Sequence, residues 1–470
     1  MWKFDENNNN PALIGNNGDR LSYARLGEEC RKLTGNIDKR SLVFVLCKNT
    51  VGCVVGYAGF INAHIVPVML NEEIPEEQLK DLIARYEPPY MWVPSGREIG
   101  YIENSTIYEA FGYKLLRTCY DTENIKMYDG LALLLTTSGS TGSPKFVRQS
   151  YDNILVNARS IVSYLELDET ERPITTLPMN YTYGLSIINS HLLTGATLLL
   201  TEYGLMQKGF WEFFREYGAT SIAGVPYTYE MLDRLRFFRM DLPTLRYMTQ
   251  AGGKLLPDLH EKFALYARDK GIRFYIMYGQ CEATARMGYL PYQKAVEKKG
   301  AMGIAIPGGR FHLIDVNGDT VTEPETVGEL VYEGANVTLG YAEKKEDLLK
   351  GDERNGVLVT GDMAQFDKDG YYYIVGRKKR FLKIYGNRVN LDEMERKLKA
   401  ETGADCAVGG KDDHMVIFVT DPEMQEALRD RAIKITRLNP AAFYSMAIPE
   451  IPKNDAGKTQ YRELEKYYVD

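Results

Sequence analysis

A loop rich in hydroxyl groups and glycine is the segment of this sequence best suited to chemistry. Its residues, TTSGSTGSPK at 136–145, follow directly after the apolar run LALLL at 131–135. An apolar run of this length, bounded by turn residues, is typical of a buried strand. Glycine lets the backbone approach a polyphosphate closely, hydroxyl and N–H groups donate hydrogen bonds, and Lys145 adds a cation. The spacing does not fit the Walker A pattern, and such a loop on its own is more often a solvated connection.

Two carboxylates later in the chain also follow short apolar segments. Glu282 comes just after FYIMYG, where a carboxylate can hold Mg²⁺. Asp362 ends the segment VTGD, and a carboxylate there suits the two hydroxyls of a ribose. Two further segments combine cations with a glycine: GRKKRFLKIYGNRV contains Gly386, and PKNDAGKTQYREL contains Lys458. Taken singly, each has a common structural interpretation as a strand edge, a turn, a solvated surface or a loop.

Alternating strand and helix patterns must position these groups. The predicted helices include 21–33, 75–86 and 391–401, and the predicted strands include 41–47, 90–95, 196–201, 220–226 and 245–253. Strand–helix alternation of this kind indicates a parallel sheet with covering helices. From about Gly309 the pattern changes to short β segments with N-G and D-G turns, which is typical of an antiparallel subdomain.

Residues 51–70 contain no formal charge and have the length of a membrane span. The segment also contains three glycines, Asn62, His64 and Pro67, and no basic cluster flanks it. These features favour a buried helix that turns into a strand near Ala63, and they argue against membrane insertion.

Length and composition narrow the class of protein. At 470 residues the chain is too long for one compact core, so we expect two or more domains. The basic segment RKKR, which follows Gly376, marks the expected boundary between a large domain over 1–376 and a small one over 377–470. The formal net charge of −7 gives no basic footprint for nucleic-acid binding. The six cysteines show no C-x-x-C pair and are expected to be free thiols in a reducing compartment. The polar N-terminus MWKFDENNNN does not fit a signal peptide, so we expect a cytoplasmic protein.

In combination and in this order, the segments resemble the adenylate-forming superfamily. That family includes acyl- and aryl-CoA synthetases, the adenylation domains of peptide synthetases and firefly luciferase. TTSGSTGSPK is similar to its phosphate loop almost residue for residue, YGQCEA to its Y-G-x-T-E motif, and TGD to its ribose motif. AGGKLL resembles the segment that lies along adenine, GRKKRFLKIYGNRV the hinge, and PKNDAGKTQYREL the terminal P-K-x-x-x-G-K element. The resemblance covers nearly the whole chain.

The resemblance implies that ATP converts a carboxylic acid to an acyl-adenylate with release of pyrophosphate. Glu282 would hold Mg²⁺, and Asp362 with Arg377 would fix the ribose. Lys458 would bridge the substrate carboxylate and the α-phosphate. The other nucleotide-binding candidates are Thr137, Ser138, Gly139, Ser140, Thr141, Gly142, Lys145, Ala251, Gly252, Tyr278, Gly279 and Cys281. Cations and oriented donors are what the crowded charge of this reaction requires.

A second reaction step is implied by the same resemblance. The small domain would rotate about Lys379, withdraw Lys458 and present the loop at Gly386 to a pantetheine arm. The acceptor thiol would belong to CoA or to the 4′-phosphopantetheine of a separate acyl or peptidyl carrier protein. The implied fold class is α/β, with a large N-terminal domain of parallel and mixed sheets, covering helices and a β subdomain. A small, mobile α+β C-terminal domain completes it.

The acid-binding part of the sequence departs from amino-acid-activating relatives. The candidate wall residues are Asn180, Tyr181, Tyr183, Gly252, Gly279, Arg286 and Met302. Residues 179–188 contain no acidic side chain for an α-ammonium group, which argues against an α-amino acid. The Asn180 side chain either binds a substrate hydroxyl or forms hydrogen bonds with backbone groups. A buried Arg286 would favour a second polar or anionic group on the acid. A small acyl or aryl acid is therefore expected.

The sequence leaves open the effect of one motif position, Cys281, and two alternative functions. Cys281 stands where the family usually has threonine, and a thiol is a weaker hydrogen-bond donor to the α-phosphate. One alternative is adenylation with a non-thiol acceptor. The other is a non-catalytic regulator that binds an acyl group or a nucleotide, although Lys458 and Glu282 are both present.

Overall fold

The computed structural model describes residues 1–38, 40–136, 145–378, 380–453 and 459–468. The helices are α1 (Tyr23–Thr34), α2 (Val51–Asn62), α3 (Glu76–Tyr86), α4 (Tyr151–Leu165), α5 (Thr182–Thr194), α6 (Lys208–Glu216), α7 (Pro226–Arg234), α8 (Pro257–Lys270), α9 (Leu391–Thr402), α10 (Gln425–Thr436) and α11 (Tyr461–Glu465).

The strands begin with β1 (Pro11–Gly15), β2 (Arg20–Ser22), β3 (Leu42–Cys47), β4 (Val66–Asn71), β5 (Tyr90–Pro94), β6 (Asn104–Ala110), β7 (Tyr113–Thr118), β8 (Leu131–Thr136), β9 (Phe146–Ser150), β10 (Leu198–Leu200), β11 (Ser221–Gly224), β12 (Tyr247–Gln250) and β13 (Arg273–Tyr278). They continue with β14 (Gly288–Leu290), β15 (Ile304–Ala305), β16 (Gly309–Ile314), β17 (Gly328–Gly334), β18 (Gly340–Ala342), β19 (Val357–Phe366), β20 (Tyr372–Arg377), β21 (Phe381–Ile384), β22 (Asn387–Asn390), β23 (Cys406–Lys411), β24 (His414–Val419) and β25 (Phe443–Ala447).

The largest sheet has eight strands in the order β18-β9-β8-β4-β3-β5-β7-β6. Its centre is parallel, with β3 beside β4 and β5, and with β4 beside β8. The apolar strand β3 is buried along its whole length, as expected for a strand covered on both faces. The outer pairs are antiparallel, so the sheet predicted from strand–helix alternation is a mixed one.

Two further sheets lie next to the candidate site. The strands β11, β12 and β13 run parallel in a five-stranded sheet that β14 and β15 extend in antiparallel fashion. The strands β16, β17, β19 and β20 form a four-stranded antiparallel sheet. This last sheet confirms the antiparallel subdomain predicted from about Gly309.

The uncharged segment 51–70 folds as its glycine and proline content predicted. Helix α2 covers Val51–Asn62, and strand β4 begins at Val66. The change of structure predicted near Ala63 is therefore confirmed. Within the described parts of the chain, no helix is long and apolar enough to cross a membrane.

The buried apolar side chains form separate clusters on the two sides of residue 379. Four clusters contain only residues up to 374, and two contain only residues from 382 onward. The smaller part comprises the hairpin β21–β22, the three-stranded sheet β23-β24-β25 and helices α9 to α11. The domain boundary between 376 and 377 remains a prediction, and its position agrees with this division of the packing.

Candidate nucleotide and acid site

A strained turn follows β13 and contains most of the YGQCEA motif. A Cβ atom at Gly279 would lie 1.8 Å from the carbonyl oxygen of Ala285, so the close approach of the two segments requires glycine. A single helical turn covers Cys281–Ala283, and Thr284 then adopts φ +66° and ψ −53°. The N–H of Ala285 donates to the carbonyl of Ala283 at 2.7 Å, which completes a γ-turn of the rare, strained type. Strain of this kind occurs at functional sites, where the surroundings hold it in place.

Tyr341 brings the predicted metal ligand and the predicted phosphate cation together. Its hydroxyl donates to Oε1 of Glu282 at 2.7 Å, and Lys145 Nζ lies 5.8 Å from the centre of its ring. The guanidinium of Arg354 lies 4.6 Å from the same ring and donates to the Glu282 backbone carbonyl at 3.1 Å. Three residues that are far apart in sequence thus surround one tyrosine.

Lys145 also forms an ion pair with Glu343, with 2.6 Å between Nζ and Oε1. The two residues flank paired strands, because Phe146 in β9 lies opposite Ala342 in β18. Both side chains are substantially exposed, at 36% for Lys145 and 57% for Glu343. The lysine is therefore at the protein surface, where a phosphate could reach it.

Asp362 is buried at the centre of a second network. One of its carboxylate oxygens accepts hydrogen bonds from the Tyr278 hydroxyl at 2.5 Å and from Gln280 Nε2 at 2.8 Å. Its other oxygen lies 3.1 Å from Nε of Arg377, which stands opposite it across β19 and β20. Burial and the nearby Asp362 carboxylate raise the pKa of Tyr278 well above its usual range. The Asp362 carboxylate also raises the pKa of Arg377.

The carboxylate of Glu282 suits a Mg²⁺ ion that is bound together with a polyphosphate. Mg²⁺ is usually held by one or two carboxylates plus substrate phosphates rather than by a cage of protein ligands. Glu282 is partly exposed. Among the described residues, its carboxylate accepts one hydrogen bond, from Tyr341, and no cluster of three or more metal-ligand side chains occurs. The residues present therefore fit the ion, and Glu282 stays its predicted protein ligand.

The predicted adenine segment follows directly after β12. The N–H of Ala251 donates to the carbonyl of Gly224 at 3.1 Å, and Gly252 has φ +84°, in the left-handed region that favours glycine. The Gln250 amide donates to the carbonyl of Ala251 at 3.2 Å and to that of Gly253 at 2.8 Å. The segment is thus held by a buried side chain.

Two tyrosines predicted to line the acid pocket lie at the start of helix α5. The Tyr183 hydroxyl donates to Thr249 Oγ1 at 2.8 Å, and the ring of Tyr181 is 6.3 Å from that of Tyr183. Met302 is buried in the same apolar cluster. Asn180 is half-buried, and its side chain makes no hydrogen bond to a described residue. The alternative in which the Asn180 side chain forms hydrogen bonds with the backbone is therefore not found in the described part of the chain.

Arg286 is buried, with 3% of its surface exposed. Its Nε donates to Ser186 Oγ at 3.2 Å, and its Nη1 donates to the Tyr164 hydroxyl at 3.1 Å and contacts Met277 Sδ at 3.4 Å. The guanidinium also lies over the Tyr183 ring at 5.1 Å. The sequence favoured a second polar or anionic group on the acid if Arg286 was buried, and Arg286 is buried in the structure.

Several predicted site residues lie outside the described residues, so their roles stay predictions. These are Thr137, Ser138, Gly139, Ser140, Thr141, Gly142, Lys379 and Lys458. Gly386 is described and lies at the tip of the hairpin β21–β22 with φ +83°. Cys281 is partly exposed on the turn that carries Glu282. The consequence of its thiol for the α-phosphate contact also stays a prediction.

Sequence reasoning missed four residues of the site, Gln280, Tyr341, Glu343 and Arg354. Gln280 lies inside YGQCEA, and Tyr341 lies inside LGY, which also resembles a family motif, but the resemblance implied no role for either side chain. The contact between Tyr341 and Glu282 joins positions 59 residues apart, and that between Arg354 and Glu282 joins positions 72 apart. In the sequence, these four residues are marked only by lying in or near the motifs. Their contacts with Glu282, Asp362 and Lys145 depend on tertiary structure, which the sequence pattern does not specify.

Comparison with known proteins identifies the family. The family model described as "AMP-binding enzyme" matches residues 2–342. The chain belongs to this family. In this AMP-binding enzyme, Lys145, Glu282 and Tyr341 fall within the matched region, whereas Asp362 and Arg377 follow it. The family predicted from the motifs is confirmed.

Curated relatives of the enzyme include two CoA ligases. A 4-hydroxybutyrate–CoA ligase of Metallosphaera sedula is 28% identical over 70% of this chain, and an oxalate–CoA ligase of Arabidopsis thaliana is 28% identical over 74%. The matched segments span 61% of the first relative and 70% of the second.

A solved structure of the o-succinylbenzoate–CoA synthetase of Bacillus subtilis, in complex with AMP, superposes on this enzyme with a TM-score of 0.78. It is 22% identical and covers 97% of this chain and 95% of its own. This likeness confirms the predicted fold class, with a large N-terminal and a small C-terminal domain. Mobility of the small domain remains a prediction.

Proposed function

We propose that the enzyme uses ATP to convert a small carboxylic acid to an acyl-adenylate with release of pyrophosphate, and then transfers the acyl group to the thiol sulfur of CoA with release of AMP and of the thiol proton. One observation carries the proposal: the groups predicted to bind phosphate, metal and ribose lie close together around Tyr341 and the YGQCEA turn. Tyr341 donates a hydrogen bond to Glu282, and Lys145 Nζ lies 5.8 Å from the centre of its ring. Four residues before Glu282, Tyr278 donates to Asp362. The turn therefore connects the predicted metal and ribose subsites, and Tyr341 connects the turn to the predicted phosphate cation.

The first step would form one bond and break another at the α-phosphorus of ATP. A carboxylate oxygen of the acid attacks that phosphorus, and the bond to the oxygen that bridges to the β-phosphorus breaks. Pyrophosphate leaves with the electron pair, so no proton has to be transferred. Because negative charges crowd together in this step, cations and oriented donors lower its barrier. Lys145 would supply a cation to the departing phosphates.

The remaining side chains would position the nucleotide. Asp362 already accepts from Tyr278 and Gln280, and this rigid carboxylate would accept the ribose hydroxyls as further donors. Glu282 would hold Mg²⁺, which supplies charge neutralisation to the phosphates when it is bound. Lys458 is proposed to bridge the acid and the α-phosphate, as the family resemblance implies.

The acid is proposed to be small or aromatic and not an α-amino acid. The tyrosines Tyr181 and Tyr183 occupy the start of α5, where amino-acid-activating relatives were expected to place an acidic residue. The two curated relatives are named for 4-hydroxybutyrate and oxalate, which supports a short acid with more than one oxygen-bearing group.

Carboxylate-dependent ATP–pyrophosphate exchange tests the first step across short, hydroxy, branched, aryl and amino acids. We expect exchange with one acid class, and a loss of at least about 100-fold in Glu282→Gln and Lys458→Ala. Glu346→Gln is the matched control, because Glu346 is exposed, lies five residues beyond Tyr341 in the chain, and the change removes the same charge. Nucleotide binding without exchange for any acid would instead identify a non-catalytic regulator.

The acceptor is proposed to be CoA, as in the names of the curated relatives. A carrier protein with a 4′-phosphopantetheine arm is the alternative, and domain rotation about Lys379 would admit either thiol. Mass spectrometry of reactions with CoA or with a loaded carrier distinguishes the two. Adenylate formation without a thioester in both reactions would indicate a non-thiol acceptor.

A further inference from the structure

The guanidinium of Arg286 is unusual because it is buried among neutral groups. Its contacts are two hydroxyls, a thioether sulfur and an aromatic ring. It forms no ion pair with any carboxylate in the described ranges. A guanidinium has five N–H donors, and the two on Nη2 make no hydrogen bond to a described residue.

A buried cation without an anion is costly, and the chain avoids it at comparable positions. The side chain of Arg148 is fully buried and lies 2.5 Å from a Glu353 oxygen. It also donates to backbone carbonyls, including that of Tyr341 at 3.0 Å. Arg380 is 12% exposed and lies 2.7 Å from an Asp392 oxygen. Burying a charge is tolerated when it is paired and hydrogen-bonded, so Arg286 is the exception that needs an explanation.

The position of Arg286 connects it to the acid-binding part of the site. It comes directly after the strained γ-turn, four residues beyond Glu282. Its guanidinium stacks on Tyr183, and Tyr183 is anchored to Thr249 in β12, just before the predicted adenine segment. The same residues thus border the predicted nucleotide site and surround the unpaired cation.

We propose that Arg286 binds a second carboxylate at the far end of the acid, so that the substrate is a short dicarboxylic acid. This inference rests on the proposed function and specifies its substrate class. The second carboxylate would accept from the two N–H groups of Nη2 that have no described partner, and it would supply the negative charge that no described residue provides. Charge-assisted hydrogen bonds of this kind are short and strong, and they discriminate well against acids that lack the group.

The test compares matched pairs of acids in ATP–pyrophosphate exchange. Malonate, succinate and glutarate are the dicarboxylic probes, and acetate, propionate and butyrate are the monocarboxylic ones. We expect the wild-type kcat/KM to favour one dicarboxylate by at least about 100-fold over its monocarboxylic partner. Arg286→Met should lose at least about 100-fold for that dicarboxylate and little or nothing for the monocarboxylates. Arg286→Lys should retain an intermediate preference, because it keeps the charge without the planar donor pair.

A structural role for Arg286 would give a different result. An equal loss for both acid classes in Arg286→Met would overturn the proposal, as would a wild-type preference for monocarboxylates. Tyr164→Phe is the control, since it removes a neutral partner and keeps the cation, and it should keep the dicarboxylate preference. Circular dichroism verifies that each variant is folded.

Thermal stabilisation by the same acids separates failure of this inference from failure of the proposed function. If exchange is absent for every acid but the preferred dicarboxylate raises the wild-type Tm and not that of Arg286→Met, the anion site stands and adenylation fails. If neither exchange nor stabilisation depends on the second carboxylate, the proposed site for that carboxylate is wrong.

Discussion

Lys145 is held by a partner that would compete with a bound phosphate. Its ammonium lies 2.6 Å from the Glu343 carboxylate, and both side chains are substantially exposed. An exposed ion pair of this kind contributes about 0.2–1 kcal/mol. A triphosphate at this lysine would therefore have to displace Glu343 first.

Glu343→Gln should lower the KM for ATP by about 1.5- to 5-fold, the factor that corresponds to an exposed ion pair. The effect should shrink at high salt, because salt screens the pair that the substitution removes. Steady-state kinetics at two ionic strengths measure both effects. Glu346→Gln serves as the control, and an equal fall in KM for this variant would indicate a general charge effect rather than release of Lys145.

The buried carboxylate of Asp362 leads to a second prediction. If it binds ribose hydroxyls, the wild-type enzyme should prefer ATP over 2′,3′-dideoxy-ATP by about 10- to 100-fold in kcat/KM, the value of hydrogen bonds to a charged group. Asp362→Asn should largely remove this preference. Asp369→Asn, an exposed change nearby, should keep it. An unchanged preference in Asp362→Asn would show that the ribose binds elsewhere.

The sequence predicted the site residues that belong to contiguous motifs. Asp362 and Arg377 were predicted as a pair, and the structure places them in contact across β19 and β20. The contact of Glu282 with Tyr341 was not predicted, because it depends on the pairing of β18 with β9. The strained conformation of Thr284 was also missed, since a β-branched residue gives no sequence signal for positive φ.

At the scale of elements, helix α4 is fixed at its start by reciprocal hydrogen bonds. The N–H of Asn153 donates to the Ser150 hydroxyl at 3.0 Å, and the N–H of Ser150 donates to the Asn153 side chain at 2.9 Å. The Asn153 amide also donates to the carbonyls of Ala335 at 2.7 Å and Val337 at 2.9 Å. The cap therefore joins α4 to the segment that leads into β18.

Ser150→Ala should lower the free energy of unfolding by about 1 kcal/mol, because it leaves a helix N–H without its cap. Urea denaturation measures the change. Ser163→Ala is the matched control, since it makes the same substitution at an exposed position of the same helix and should have little effect or stabilise slightly. Equal stability of the two variants would contradict the capping role.

Element types could be predicted from hydrophobic periodicity, but strand partners could not. The helix and strand within 51–70 were predicted because glycine, asparagine and proline interrupt the apolar run. The parallel centre of the large sheet followed from strand–helix alternation. Its antiparallel margins did not, since β18 reaches β9 from about 190 residues away and no local pattern specifies that partner.

At the scale of the whole molecule, a buried histidine next to the proposed acid site is expected to control part of the stability at acid pH. His191 is 2% exposed, its Nδ1–H donates to the carbonyl of Ile187 at 2.8 Å, and its Nε2 accepts from the Tyr247 hydroxyl at 2.9 Å. Both ring nitrogens of the neutral imidazole therefore form hydrogen bonds. Burial, together with the nearby Arg286 cation, lowers the pKa of His191 from 6.5 to about 4.

A lowered pKa means that the unfolded chain binds a proton at a pH where the folded protein does not. The contribution of His191 to stability is therefore complete above about pH 6.5 and falls as the pH drops toward 4. Between pH 7.5 and pH 4.5, this loss should amount to about 2–3 kcal/mol in the wild type. In His191→Gln, urea denaturation at the two pH values should show an acid loss smaller by that amount. His64→Gln, an exposed control, should keep the wild-type loss, and an unchanged loss in His191→Gln would show that other groups cause the acid sensitivity.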